Sequence, residues 1–225
     1  MRAPRSREEL ADQLFLLPAG PGRLLNSYLL ADTVLDSGLR WSGRLIARSL
    51  QGATVRAHAL SHAHFDHAGS SGWLCRELGI PLFVGAADVA AMEAGRVDSH
   101  GGRVINALTR LVPTQGHRVE RGLKEGDLVG GFEVLEVPGH SPGALAFWRP
   151  ADKVLICGDT VTNMFGTSGK SRLMTVPGFL NHDSALNRRS LAKLTDLRPR
   201  LACFGHGPPV ADPGLFADRV TRLAR

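Results

Sequence analysis

The sequence predicts an α/β fold, α+β in its arrangement, in which two sheets pack face to face with helices outside. Three observations predict it. Apolar runs of strand length fall into two groups, and each group ends in helical periodicity. Strand and helix do not alternate cleanly, so a single doubly wound parallel sheet fits poorly. No Pro/Ser-rich linker divides the chain, so residues 1–225 read as one domain, a size that one core can serve.

The elements follow in order. Residues 1–12 read as a frayed polar start. Leu14–Leu17 is a short apolar strand closed by Pro18-Ala19-Gly20-Pro21-Gly22. Asn26–Leu30 and Thr33–Leu35 are strands, split by Ala31-Asp32 and ended by Asp36-Ser37-Gly38. Trp41–Leu50 has helical spacing, with Trp41, Leu45 and Ile46 on one face. Thr54–Leu60 is a strand, His62–His67 a loop, and Asp66–Leu78 a helix stopped by Gly79. Pro81–Val84 is a strand and Ala86–Ala94 a helix. Glycines and prolines break residues 95–117, leaving room for a short helix at Val104–Leu111. Phe132–Val137, Gly143–Trp148 and Val154–Cys157 are strands, and residues 161–183 are irregular. Ala185–Leu197 is an amphipathic helix, with Leu186, Leu191, Leu194 and Leu197 on one face and Arg188, Arg189 and Lys193 between them. Leu201–Phe204 is a last strand and Leu215–Leu223 a last helix.

Composition narrows the function. The net charge of +6 comes from 27 basic and 21 acidic residues, scattered except for loose groups at 2–7, 188–200 and 219–225. A nucleic-acid surface would interleave a basic stripe with aromatics. Here Tyr28 is the only tyrosine and Trp41, Trp73 and Trp148 lie far apart, so a solvated surface is the better reading. Cys75, Cys157 and Cys203 sit in helix- or strand-like runs and read as buried small side chains in a reducing compartment. Glu8, Glu9 and Asp12 interrupt the place where a signal-peptide apolar region would begin. No apolar run reaches the ~20 residues of a membrane span. The expectation is a cytoplasmic protein with a small-molecule substrate and no membrane partner; the oligomeric state is left open, a homodimer included.

The informative segment is Ser61-His62-Ala63-His64-Phe65-Asp66-His67, directly after a strand. In extended backbone the side chains of i and i+2 point the same way, so His62 and His64 can clamp one ion. The chain then turns into a helix whose start presents Asp66 and His67 to a second. Imidazole and carboxylate are the nitrogen and oxygen ligands of zinc. Three later strands end in glycine-flanked turns with further ligand types: Gly139-His140-Ser141, Gly158-Asp159-Thr160 and Gly205-His206-Gly207. One such turn means little, but four junctions on one side of a two-sheet fold make a site.

The order HAHFDH, GHSPG, GDT and GHG resembles the metallo-β-lactamase fold superfamily of hydrolases, and NSYLLADTVLDSG resembles that family's opening strands. The resemblance spans roughly residues 14–210. It implies a four-layer αβ/βα sandwich with two divalent metal ions at one edge, zinc first among them, iron or manganese as alternatives. His62, His64 and His140 would hold the first metal, Asp66, His67 and His206 the second, and Asp159 would bridge both. The first class of β-lactamases commonly carries Cys at the bridging place, so Asp159 points to the glyoxalase-II-like branch, and HAHFDHAG also resembles the lactonase form of the motif.

Such ions lower the pKa of a shared water from 15.7 toward ~7, giving a hydroxide that attacks an ester-like carbonyl: a thioester, a lactone or a related bond. On this resemblance Asp66 and Asp159 would be the catalytic carboxylates, with Asp66 orienting the hydroxide. Asp36 and Ser61 are candidates for holding the ligands from behind. Tyr28 makes a poor substitute for the active-site tyrosine of lactonases. Typical glyoxalase II enzymes add a C-terminal helical region that binds glutathione, and this chain ends soon after His206.

Alternatives keep or change the fold. Persulfide dioxygenases resemble it with one iron and oxidative chemistry. A phosphodiesterase of the tRNase Z type would need a basic arm insertion that the sequence lacks. Gly139-His140-Ser141-Pro142-Gly143 also spells G-x-S-x-G, with Ser141, Asp159 and His206 in the chain order of a serine-hydrolase triad. That reading needs a helix right after Ser141, where the pattern instead reads as a strand. The irregular stretches 95–117 and 161–183 are the expected substrate side, with Met164, Phe165, Met174, Phe179 and Leu180 as apolar lining. His58, His100, His117 and His182 read as surface or strand residues rather than ligands.

Overall fold

The strands Asn26–Leu30, Thr33–Leu35, Ala57–Ala59, Val154–Ile156 and Leu201–Cys203 are buried at every residue. A strand buried on both faces needs cover on both, and the fold supplies it. The structure, a computed structural model, describes residues 7–96, 115–165 and 170–225. The first sheet runs β1 (Glu8–Ala11), β2 (Leu14–Pro18), β3 (Asn26–Leu30), β4 (Thr33–Leu35), β5 (Ala57–Ala59), β6 (Leu82–Gly85), β7 (Arg121–Leu123). It is antiparallel from β1 to β4 and parallel from β4 to β7. The second has the order β12 (Leu201–Cys203), β11 (Val154–Ile156), β10 (Leu145–Arg149), β9 (Phe132–Glu136), β8 (Leu128–Val129), with only β11 and β12 parallel.

Among the described residues the α-helices are α1 (Gly43–Ser49), α2 (Phe65–Ala68), α3 (Ser71–Leu78), α4 (Val89–Ala94), α5 (Ser184–Thr195) and α6 (Pro213–Ala224). Alternation along each strand sorts side chains between layers. Tyr28, Leu30, Leu35, Phe132, Val134, Phe147 and Ile156 form the core between the sheets. On the outer face of the first sheet, Leu29 and Val34 meet Ile46 and Leu50, and Leu82 and Val84 meet Cys75 and Met92. On the outer face of the second, Ala146, Leu155 and Ala202 meet Leu191, Leu194, Phe216 and Val220. The order is helix, sheet, sheet, helix, as expected. Truncating Phe147, fully buried at the centre, to Ala would cost about 3–5 kcal/mol.

Parallel pairing has a consequence for function. It sends the C-terminal ends of β4, β5 and β6 to one edge of the first sheet, and those of β11 and β12 to the matching edge of the second. The Leu145 N–H donates to Ser61 O at 2.8 Å and ties the two edges together.

Several elements depart from the sequence reading. The start is ordered from Arg7 as far as described, and Glu8–Ala11 forms an edge strand rather than a frayed end. Its two glutamates are the charges an edge strand tolerates, and Glu8 pairs with Arg23 at 2.8 Å. The strands β7 and β8 were too short to carry an alternating pattern. The single helix expected over Asp66–Leu78 is two, α2 and α3. Between them the Gly69 N–H donates to Gly38 O, and Ser70 Oγ donates to Leu39 O and accepts the Gly43 N–H, which docks the break onto the loop before α1. Of the face expected for the Trp41–Leu50 helix, only Ile46 turns inward; Trp41 and Leu45 are exposed. The helix expected at Val104–Leu111 and His100 lie outside the described residues. Among the described residues, no helix is long and apolar enough to cross a membrane.

Candidate metal centre

All seven predicted ligands meet at the shared sheet edge. Three overlapping groups place their ligand atoms within 4.8 Å of one another: His62, His64 and His140; His62, His67 and Asp159; Asp66, His67 and His206. His62 stands between them, its ring 4.5 Å from that of His64, 4.7 Å from His140 and 4.0 Å from His67. Asp159 stands opposite. Its Oδ2 lies 2.9 Å from His206 Nε2, 3.5 Å from His67 Nε2 and 3.8 Å from His140 Nε2. Asp66 Oδ2 is 3.4 Å from His206 Nε2.

Each side chain arrives by a local device. His62 and His64 follow β5, and His64, the residue before α2, is extended, with φ −75° and ψ 154°. Asp66 and His67 fall in the first turn of α2. Asp159 follows β11, and His206 follows β12. Gly205 is needed for this approach. A Cβ there would collide with Asp159 Oδ1 and lie 2.5 Å from His67 Cε1.

Most of the rings are also fixed from behind, as ligating imidazoles commonly are. Asp36 Oδ2 sits 2.9 Å from His67 Nδ1 and 2.8 Å from Ser61 Oγ, and Asp36 Oδ1 accepts the Ser61 N–H at 2.7 Å. Ser61 Oγ in turn is 3.0 Å from His62 Nδ1. The two residues expected behind the ligands are therefore linked to each other as well as to the rings. His140 Nδ1 is 3.0 Å from Asn181 Oδ1, and His206 Nδ1 meets Leu24 O. Asn181 and Leu24 carried no signal in the sequence.

What remains unpaired is telling. His62 Nε2, His140 Nε2 and Asp159 Oδ1 are buried without any hydrogen-bond partner. Buried polar atoms are nearly always paired, so three orphans on residues of these overlapping groups mark a place built for a cation. The donor set, imidazole nitrogen and carboxylate oxygen, fits a divalent transition metal.

Electrostatics agree. Burial and neighbouring imidazoles hold His62 and His64 below the ordinary histidine range, His64 at about 3. Burial lowers His140 too. These three are neutral, the form that ligates. For His67 and His206 burial also disfavours the charged form, but the neighbouring carboxylates together outweigh it, Asp159 with Asp36 and Asp66 at His67 and Asp159 with Asp66 at His206; His206 is raised to about 10. Burial would raise Asp66, yet His67 and His206 bring it down to about 2. His64 and Asp66 are half-buried while the other predicted ligands are closed off.

The remaining candidates separate cleanly. Ser141 Oγ donates to Asp88 Oδ2, no helix begins after it, and β10 follows instead, which disposes of the G-x-S-x-G reading. Tyr28 is fully buried, its Oη donating to Phe204 O at 2.7 Å and accepting the Phe204 N–H at 3.2 Å, so it clasps the two sheets. His58 is buried in β5 between Val34 O and Ser71 Oγ. Phe165 and Phe179 are exposed, with Met164, Met174 and Leu180 half-buried.

Comparison with known proteins bears on this geometry. The family model described as the metallo-beta-lactamase superfamily matches residues 20–206. The chain is 25% identical to "Probable metallo-hydrolase YflN" of Bacillus subtilis over 240 residues, covering 96% of this chain and 87% of that one. Among solved structures, TTHA1623 in a di-iron-bound form superposes with a TM-score of 0.64 at 31% identity, over 87% of this chain and 94% of that one. The BLEG-1 B3 metallo-beta-lactamase superposes with a TM-score of 0.69 at 25% identity, over 93% and 99%. The chain belongs to the metallo-β-lactamase superfamily and is a metal-dependent hydrolase of that fold.

Proposed function

We propose that this hydrolase works with two divalent ions and cleaves an ester-like bond in a small molecule, a thioester or lactone being the leading candidates. His62, His64 and His140 would hold one ion, Asp66, His67 and His206 the other, and Asp159 would lie between. The observation that carries this reading is the convergence of three overlapping groups of ligand-type atoms, the first two of which hold the buried, unpaired His62 Nε2, His140 Nε2 and Asp159 Oδ1. Bound there, divalent ions supply Lewis acidity, polarising a substrate oxygen and lowering the pKa of a water toward ~7.

The protein's own residues do the rest. Asp36, Ser61 and Asn181 fix ring orientation, so the ligand atoms need no rearrangement. Asp66, half-buried like His64, would accept a hydrogen bond from that water and orient it. The described parts of 161–183 flank the centre at both ends. The Asn163 N–H donates to His206 O at 3.0 Å two residues before Phe165, and Asn181 meets His140 two residues after Phe179. Those exposed phenylalanines favour a substrate with an apolar portion.

Zinc suits the donor set, and the di-iron form of TTHA1623 supports iron as an alternative. A cytoplasmic location belongs to the same reading, supported by three free and buried cysteines. The test is metal quantification on the purified protein, followed by a hydrolysis screen over thioesters, lactones, phosphodiesters and β-lactams. Two ions per chain with chelator-sensitive turnover of a thioester or lactone is the expected result. One iron per chain with oxygen consumption on a persulfide would replace this reading with a dioxygenase.

A further inference from the structure

The loop that carries His62 and His64 extends from the first sheet, and the loop that carries His140 extends from the second. One buried carboxylate joins them. Asp88 ends a single turn of 3-10 helix, Ala86–Asp88, that follows β6, and it is 2% exposed. Its Oδ2 accepts the Ala63 N–H at 3.1 Å, between His62 and His64, and the Ser141 hydroxyl at 2.7 Å, next to His140. Its Oδ1 accepts the Gly143 N–H at 2.7 Å.

Asp88 stands at the N-cap of α4, where an aspartate ordinarily accepts N–H groups of its own helix. Here the side chain makes no such bond and turns to the two loops instead. The packing leaves no slack. A Cβ on Gly143 would lie 2.8 Å from Asp88 Cγ and 2.6 Å from Asp88 N. The other histidine group is held by different residues. Asp36 fixes His67, Leu24 O meets His206, and Asn26 Nδ2 donates to Phe204 O and Gly207 O on either side of His206.

We infer that Asp88 is a positioning residue for one of the two ions: it sets the distance between the His62–His64 pair and His140, and its loss weakens that ion's site selectively. The inference rests on the two-ion reading above. The side-chain hydrogen bonds of Asp88 go to Ala63, Ser141 and Gly143 and not to a histidine ring. A carboxylate suits the role because all its contacts are donors. In Asp88→Asn the amide keeps the shape, but its NH2 must face the Ala63 N–H or, after a flip, the Gly143 N–H. Ser141 can turn its hydroxyl to suit; a backbone N–H cannot.

The test uses the whole chain, stripped of metal and then titrated with Zn2+ against a chromophoric chelator and with Co2+ followed by visible absorption. Wild type is expected to take two equivalents. Asp88→Asn, with its metal-free fold checked by circular dichroism, should keep one equivalent at wild-type affinity and bind the other about 10–100-fold more weakly. Ser141→Ala removes one of the contacts and should weaken the same equivalent by a smaller factor; it decides the matter if Asp88→Asn does not fold. Two equivalents at wild-type affinity in Asp88→Asn, equal weakening of both, or an unaltered Ser141→Ala where Asp88→Asn is unfolded would overturn the inference. A wild-type chain that takes fewer than two ions contradicts the two-ion reading itself, and this inference with it, before any variant is compared.

Discussion

Asp36 Oδ2 lies 2.9 Å from His67 Nδ1, and both side chains are closed off from solvent. Asp36 also has φ +59°, a left-handed conformation that Asn tolerates and most residues do not. Its carboxylate therefore does two things: it orients a ring whose Nε2 faces the metal centre, and through Ser61 it steadies His62. Asp36→Asn keeps the backbone comfortable and removes the charge. We expect metal affinity to fall about 10–100-fold, read by competition with a chelator. Wild-type affinity would show that the contact does not tune the site.

The sheet-to-sheet clasp at Tyr28 gives a second prediction. Tyr28→Phe leaves the Phe204 N–H buried without a partner, at a cost of about 1–3 kcal/mol. The melting temperature should fall by about 2–4 °C for each kcal/mol. Turnover should survive, because Tyr28 reaches Phe204 and not the ligands. Abolished turnover in a folded variant would mean that the tyrosine takes part in the chemistry.

His58 makes stability depend on pH. Burial lowers its pKa from 6.5 to about 4, despite the Val34 carbonyl that favours the proton. Above pH 6.5 the group is neutral in both states and contributes no pH dependence. As pH falls from 6.5 toward 4 the unfolded chain binds a proton that the native chain refuses, and stability drops by about 3 kcal/mol. Denaturant midpoints of the metal-free protein across that range should fall less steeply in His58→Gln. Identical slopes would place the pH dependence elsewhere.

Gly205 tests the close approach at the second histidine group. The Cβ of Gly205→Ala would press on Asp159 and His67. Metal affinity should fall about tenfold or more, because Asp159 and His67 must both shift, so the metal content after loading at limiting free metal, measured by atomic absorption, should drop below that of wild type. Full occupancy would mean that the turn relaxes freely.

Much of this was legible in the sequence. The ligands are local motifs at strand ends, and His62, His64, Asp66 and His67 stand within six residues. The buried strands are apolar runs punctuated by turn residues. The parts that hold the ligands were not legible. Asp88 falls within the stretch Ala86–Ala94, which reads as a helix, and its partners Ser141 and Gly143 lie 53 and 55 residues away. Asn26 bonds Phe204 O across 178 residues. Asn181 lay in a stretch that reads only as irregular. Such bonds are set by the register of two sheets, which no local pattern encodes. The edge strands β1, β7 and β8 were missed because they are short or charged, and the break between α2 and α3 because it depends on docking against Gly38 and Leu39.

Asp159 stands where the two proposed ion sites meet, so metal quantification on wild type and Asp159→Ala, alongside turnover, is decisive. Two ions per wild-type chain, and loss of metal and activity together in the variant, are expected. Full activity in Asp159→Ala, or a wild-type chain that stays empty after loading with zinc, manganese or iron, would contradict the two-ion reading.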